Sequence, residues 1–309
     1  MCRGEKMSGH GGSVKIILLA LLANVGIAFS KFTGYFFSKS ASLLAEAIHS
    51  VVDCTNQVLL LVGKKRSEKA PSERQPMGYG REIFFYSFIV AILLFSLGGI
   101  FAIYEGVHKI SHPEPLSYSW LAMIILVIGI ILESISFIAC FKEVKHQNIH
   151  RGLFRWYRKT TNADLLVIFS EDLAALFGLV IALGCLVIAV ITNNPVWDAI
   201  GSIIIGTLLV VMALVLLKEI KAMLVGEAPE KDYRMPIEEI LIRHIAGAKI
   251  IRFIALQTGV GQVMVSYKIS IPSGNALKEA ISAINLVEKS VKQEFPEIKW
   301  QFVEPDISE

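Results

Sequence analysis

The stretch Ser42–Gln57, SLLAEAIHSVVDCTNQ, sets a histidine and a carboxylate in the middle of an apolar run from Ala41 to Gly63. His49 and Asp53 are four residues apart, so on a helix they share one face, one turn apart. Inside a lipid-spanning helix both are costly, and they normally face a partner or a water-filled path. An imidazole and a carboxylate are also ligands for divalent transition metals. The pair therefore points to a cation held within a membrane.

Composition agrees with a membrane protein. The chain has 309 residues, 54% of them hydrophobic and 18% charged, with a mean hydropathy of +0.58. Soluble domains carry more charge, about 25%. The formal net charge of +3 is too small to argue for nucleic acid, and no nucleic-acid partner is expected. Cys2, Cys54, Cys140 and Cys185 are scattered and form no CxxC pair. They read as small buried hydrophobes, not as disulfides or a zinc cluster.

Working outward, six stretches approach the roughly 20 residues that span a bilayer. They are Val14–Phe36, Ser40–Gly63, Ile83–Val107, Ser119–Phe141, Ala163–Ile191 and Val196–Leu224. The first is too long for a signal peptide, lacks a small-residue cleavage site and is followed by further spans, so it is expected to remain as a helix. Lys64, Lys65, Arg66, Lys69, Arg74 and Arg81 crowd the second link, and Lys142, Lys145, Arg151, Arg155, Arg158 and Lys159 the fourth. The remaining links carry few basic residues. The positive-inside rule puts both basic links and both termini in the cytoplasm. Tyr118, Trp120, Trp156, Tyr157 and Trp197 lie near span ends, where aromatic belts form.

After Leu224 the pattern changes. Gly226–Glu230 reads as a short linker. Helical spacing follows over Pro236–Ala246, strands over Lys249–Thr258 and Gln262–Ile271, a helix over Ala276–Phe295 and a strand over Ile298–Val303. The expected organisation is a cytoplasmic tail at 1–13, a bundle of six transmembrane helices at 14–224, and a small cytoplasmic α+β domain of αββαβ order, ferredoxin-like, at 225–309.

The depths of the ionisable residues converge. At about 1.5 Å per residue, His49 and Asp53 lie roughly 14 to 20 Å into span two, and Glu171 and Asp172 roughly 12 Å into span five from the opposite side. A shared site is the simplest account.

Span two, with span five (Ala163–Gly184, ADLLVIFSEDLAALFGLVIALG) and the linker GEAPEKD at 226–232, resembles the cation diffusion facilitator family from about Val14 to Asp306. The resemblance implies a homodimeric, proton-coupled exporter of zinc, manganese, iron or cobalt, with two ligands from span two and two from span five. His49 and Asp53 match the span-two positions and Glu171 matches the second span-five position. The first falls on Val167, which has no donor atom. Asp172, water or Asn24 of span one are the candidates for the fourth place. The ligand set implied is His49, Asp53, Glu171 and Asp172. Tyr79 stands where a ligand histidine is usual, and His244 is the one histidine of the C-terminal domain. No metal-rich cytoplasmic site is expected.

Other polar residues have plainer readings. Glu46 is expected to pair with Lys31, since two opposite charges in lipid cost less together than apart. Glu133 serves packing or a proton path. Asp164 and Asp198 each suit the N-terminus of their own helix. His10 belongs to the tail, and the basic links also suit anionic lipid.

The function expected is proton-coupled efflux of a divalent cation, zinc first, by alternating access. The metal is substrate, the protein is not an enzyme, and the setting is a bacterial inner membrane. The alternatives are an intramembrane metal-dependent hydrolase, which would use the open position beside Val167, a metal sensor, and a passive channel, which discrete tight ligands disfavour.

Overall fold

The computed structural model describes residues 10–147, 152–272 and 277–306. Residues 1–9 of the expected tail, with Cys2, and Arg151 of the fourth link lie outside them. The helices are α1 (His10–Ser38), α2 (Ala41–Ser67), α3 (Glu82–Leu93), α4 (Phe101–Ser111), α5 (Ser119–Gln147), α6 (Leu153–Lys159), α7 (Ala163–Thr192) and α8 (Val196–Val225). His10, expected in the tail, begins α1. Among the described residues, four segments are each long and apolar enough to cross a bilayer: Glu82–Ser111, Ser119–His146, Ala163–Thr192 and Val196–Val225. At 29 and 27 residues, α1 and α2 also exceed a spanning length. α2 is less apolar because Glu46, His49, Asp53 and Asn56 occupy its middle.

The chain forms two compact units. One runs through to Leu61 and takes Ile89–Gln147 and Val167–Leu217; the other takes Val62–Phe88, Asn148–Leu166 and everything from Lys218.

In the first unit the third span departs from one regular helix. Leu94–Ile100, LFSLGGI, is a π-helical turn joining α3 to α4. Glycines pack this span tightly against α8. A Cβ on Gly99 would lie 2.6 Å from Val210 Cγ2, and one on Gly206 would lie 2.7 Å from the Gly99 carbonyl oxygen. A Cβ on Gly106 would lie 2.7 Å from the Ala199 carbonyl oxygen. Ser202 Oγ donates to the Ala102 carbonyl at 2.8 Å along the same seam. Small residues thus let α8 and this span touch backbone to backbone, which is how helices gain van der Waals contact in lipid. The core beside the seam holds Leu94, Leu126, Leu179, Leu186 and Leu209.

Tyr118, Trp120 and Trp197 are exposed, as an aromatic belt requires. Trp156 is not: it is buried on the short helix α6, which carries no spanning length and was absent from the sequence reading.

In the second unit, α9 (Arg234–His244), β1 (Lys249–Gly259), β2 (Gln262–Ser270), α10 (Leu277–Glu294) and β3 (Ile298–Pro305) give the expected αββαβ order. Ala276, the expected first residue of α10, lies outside the described residues. β2 is central, antiparallel to β1 and parallel to β3. Gly261, at φ 64°, makes the tight turn between β1 and β2. The parallel pairing needs a crossover, which α10 supplies. Val263, Val265, Tyr267 and Ile269 alternate inward along β2 and meet Ile237, Leu241, Val287 and Val291 of the two helices. The fully buried Tyr267 ring keeps its hydroxyl bonded by Gln301 Nε2 at 2.7 Å, and burial pushes its phenol up to about 12.

The seam makes a test. Gly206→Ala puts a methyl where no space exists, so it should cost about 1–3 kcal/mol. Thermal unfolding of the purified protein in detergent, beside Gly184→Ala, whose added Cβ meets nothing within 4 Å, measures that difference.

Candidate metal centre

Positions 46, 49, 53 and 56 of α2 recur at helical spacing and share one face. Glu46, His49 and Asn56 are buried, and Asp53 keeps 17% of its side chain exposed. Each finds a different neighbour. Lys31 Nζ of α1 lies 3.2 Å from Glu46 Oε2 and donates to Ser50 Oγ at 2.8 Å. The expected Glu46–Lys31 pair is therefore present. His49 Nε2 lies 3.7 Å from Asp53 Oδ2. Asn56 Nδ2 donates to Glu171 Oε1 of α7 at 2.5 Å.

Asp198 does more than the sequence reading expected. It sits in the first turn of its own helix, α8, as expected. Its carboxylate also accepts from Ser40 Oγ at 2.7 Å, from the Ala41 N–H at 2.5 Å and from Ser42 Oγ. It thus satisfies the open N-terminus of α2, where free N–H groups favour an anion. Asp164 does sit in the first turn of α7, as expected.

The predicted ligands are only partly assembled. Asp53 lies within coulombic reach of both Glu171 and Asp172. Glu171 and Asp172 themselves diverge, as adjacent helical residues must, by about 100°. Glu171 turns to Asn56 of α2, whereas Asp172 Oδ2 accepts from Ser136 Oγ of α5 at 3.2 Å. Glu133 of α5 is also within coulombic reach of Asp53 and Asp172. Val167 is fully buried and contributes no donor. Among the described residues, no three His, Cys, Asp or Glu side chains are gathered closely enough to hold a metal ion.

The site nevertheless offers donor atoms. Both ring nitrogens of His49, Asp53 Oδ1 and Asn56 Oδ1 are buried without a hydrogen-bond partner. Buried polar atoms are normally bonded. Neutral imidazole nitrogen and carboxylate oxygen are the donors that a borderline divalent ion takes. The arrangement is two pairs, His49 with Asp53 and Asn56 with Glu171, each within α2 or between α2 and α7.

Asn56 and Ser136 were missed by the sequence reading. Asn56 had a signal: a polar residue three positions after Asp53, on the same face of an otherwise apolar helix. Ser136 had none, because a serine is common in any membrane helix. Asn56→Ala leaves the Glu171 carboxylate buried without its amide donor. The expected loss is about 1–3 kcal/mol, read as a lower thermal midpoint in metal-free detergent solution.

The cation efflux transmembrane domain model matches residues 17–225. The human proton-coupled zinc antiporter SLC30A9, mitochondrial, is 28% identical over 254 residues, which is 82% of this chain and 45% of that protein. Metal tolerance protein C4 of Arabidopsis thaliana is 32% identical over 220 residues, 70% of this chain and 48% of that protein. Zinc transporter ZitB of Pectobacterium atrosepticum is 26% identical over 245 residues, 76% of this chain and 72% of that protein. The chain spans less than half the length of the human and Arabidopsis relatives. None of the three is named as an enzyme. With a family match covering more than half its length, the chain belongs to the cation efflux, or cation diffusion facilitator, family of membrane transporters.

Proposed function

We propose that this chain exports zinc in exchange for protons, by alternating access around His49, Asp53, Glu171 and Asp172. The observation that carries the reading is the set of unpartnered donor atoms on His49 and Asp53, buried in the middle of a membrane helix. The human relative's name as a proton-coupled zinc antiporter, and ZitB's as a zinc transporter, support the ion and the coupling.

The mechanism follows from competition. Zinc needs a neutral imidazole and ionised carboxylates, so binding releases protons and strengthens as pH rises. The donors on α2 and α7 are apart, which suits a site that closes on the ion in one state and opens in another. Asp53 has the exposed edge, and it is within coulombic reach of Glu171 and Asp172. We assign Asp53 as the ligand that joins the two helices around the ion. Protons arriving from the far side neutralise the carboxylates and charge His49, which expels the metal. A membrane potential negative inside assists their entry.

The basic links support a cytoplasmic side for both termini, and compact loops suit a bacterial inner membrane; the human relative is named mitochondrial. Homodimerisation is part of the same reading, supported by exposed Ile254, Ile281 and Phe302 on the C-terminal domain. The hydrolase alternative has no support in a family of transporters.

Zinc uptake into proteoliposomes under an imposed pH gradient tests the reading. Wild type should take up zinc only with the gradient, and His49→Ala or Asp53→Ala should lower the rate at least about tenfold, the loss of one strong contact. Gradient-dependent uptake that survives both changes would remove the assignment. Zinc affinity at equilibrium should also fall as pH drops, because protons then occupy the ligands. Titration calorimetry of the purified protein at several pH values checks the sign. Asp172→Asn should retain more uptake than Asp53→Ala, because Asp172 is held toward α5 by Ser136.

A further inference from the structure

The second unit holds a cavity of about 770 Å³ that the transport reading does not use. It lies at the ends of membrane helices: Arg66 comes from the last turn of α2, Phe85 and Tyr86 from the start of α3, and Leu224 from the end of α8. Thr258 of β1 closes one side.

Its chemistry is amphiphilic. Two guanidinium groups, Arg66 and Arg81, face a single carboxylate, Glu82. Arg66 Nη1 is 4.0 Å from Glu82 Oε2, the outer limit of an ion pair, and its guanidinium carbon lies 5.8 Å from the Tyr86 ring centre. Arg81 makes no ion pair among the described residues. The lining therefore carries surplus positive charge. Thr258 is only 4% exposed, and its hydroxyl has no hydrogen-bond partner. Beside these groups, Phe85 and Leu224 present exposed apolar surface.

The walls are held by close backbone contact. A Cβ on Gly80 would lie 2.6 Å from the Thr258 carbonyl oxygen and 2.6 Å from Gln262 Oε1. A Cβ on Gly259 would lie 2.9 Å from Gly80 Cα. The link before α3 is thus seated directly on the β1–β2 hairpin. Arg81, the next residue, is fixed relative to Thr258.

We propose that this cavity binds an anionic phospholipid, its phosphate taken by Arg81 and Arg66 and by the Thr258 hydroxyl, its first acyl carbons lying along Phe85 and Leu224. Guanidinium forks suit phosphate oxygens. Helix ends carrying basic residues lie at the depth of the headgroups. A free phosphate would use the same polar groups but leave the apolar wall bare, so the lipid is the occupant. The inference depends on the chain being a membrane protein and not on which ion it moves.

Native mass spectrometry of the purified full chain, delipidated in detergent and given equal amounts of phosphatidylglycerol and phosphatidylcholine, tests it. Wild type should retain phosphatidylglycerol preferentially, and Arg81→Gln should cut that preference about tenfold, the loss of one charge-assisted contact. Arg81→Lys should keep part of it, and Lys299→Gln, on β3 outside the cavity, all of it. Thr258→Val, which keeps the side-chain shape, should weaken retention without lowering the thermal midpoint. Equal retention of the two lipids, or a preference unchanged by Arg81→Gln, would overturn the proposal. Displacement of the lipid by an equal concentration of inorganic phosphate would overturn it too, by identifying the occupant as a free anion. Zinc transport that fails while the lipid preference holds would reject the transport reading alone.

Discussion

Lipid offers no hydrogen bonds, so every polar atom on α2 must be answered from within the protein. Three helices do so. Lys31 of α1 meets Glu46 and Ser50, Glu171 of α7 meets Asn56, and Asp198 of α8 meets the first residues of α2. The helix that carries the most polar groups is therefore the one around which its neighbours are organised. What stays unanswered is the ring of His49 and single oxygens of Glu46, Asp53 and Asn56. Of these, His49 and Asp53 offer the imidazole nitrogen and carboxylate oxygen that a divalent cation takes.

The two kinds of polar contact have different energetic meaning. A buried ion pair such as Lys31–Glu46 roughly breaks even against apolar packing, yet removing one partner costs several kcal/mol. It acts as a constraint on which helices sit together more than as a source of stability. The glycine seam between α8 and the third span works in the opposite way. It contains no charge, and it gains from close contact alone, Gly99 against Gly206 and Gly106 against Ala199. One device fixes the identity of neighbours and the other fixes their distance.

Much of this was legible in the sequence for stated reasons. Runs of about 20 apolar residues have few other meanings, and the αββαβ order shows in alternation and glycine turns. His49 and Asp53 stood out because ionisable residues in lipid are costly. The pairing of Glu46 with Lys31 followed from the same cost. Other features had no local signature. Asp198 reads as a cap for its own helix, and only the fold brings it to Ser40, which lies 158 residues away in sequence. The π turn at Leu94–Ile100 leaves no periodic trace, because Ser96 is its one polar side chain. Asp172 was one candidate for the fourth ligand place, and its bond to Ser136 of α5 had no signal in the sequence. Trp156 looked like a belt residue by its place in sequence and is buried instead.

The carboxylate of Asp198 also bears on how the protein is made. α2 emerges early in synthesis and carries Glu46, His49 and Asp53 into a bilayer that charges centrally placed acidic groups about 2.5–3.5 kcal/mol each. Its partners on α7 and α8 do not yet exist at that moment. α2 therefore enters the membrane as a weak span, with α1 and Lys31 beside it. It becomes secure when the last membrane helix arrives and closes its N-terminus. Completion of the bundle is thus tied to the end of translation of the membrane segment, and a chain cut short before Asp198 leaves the N-terminus of its second span without the carboxylate that closes it.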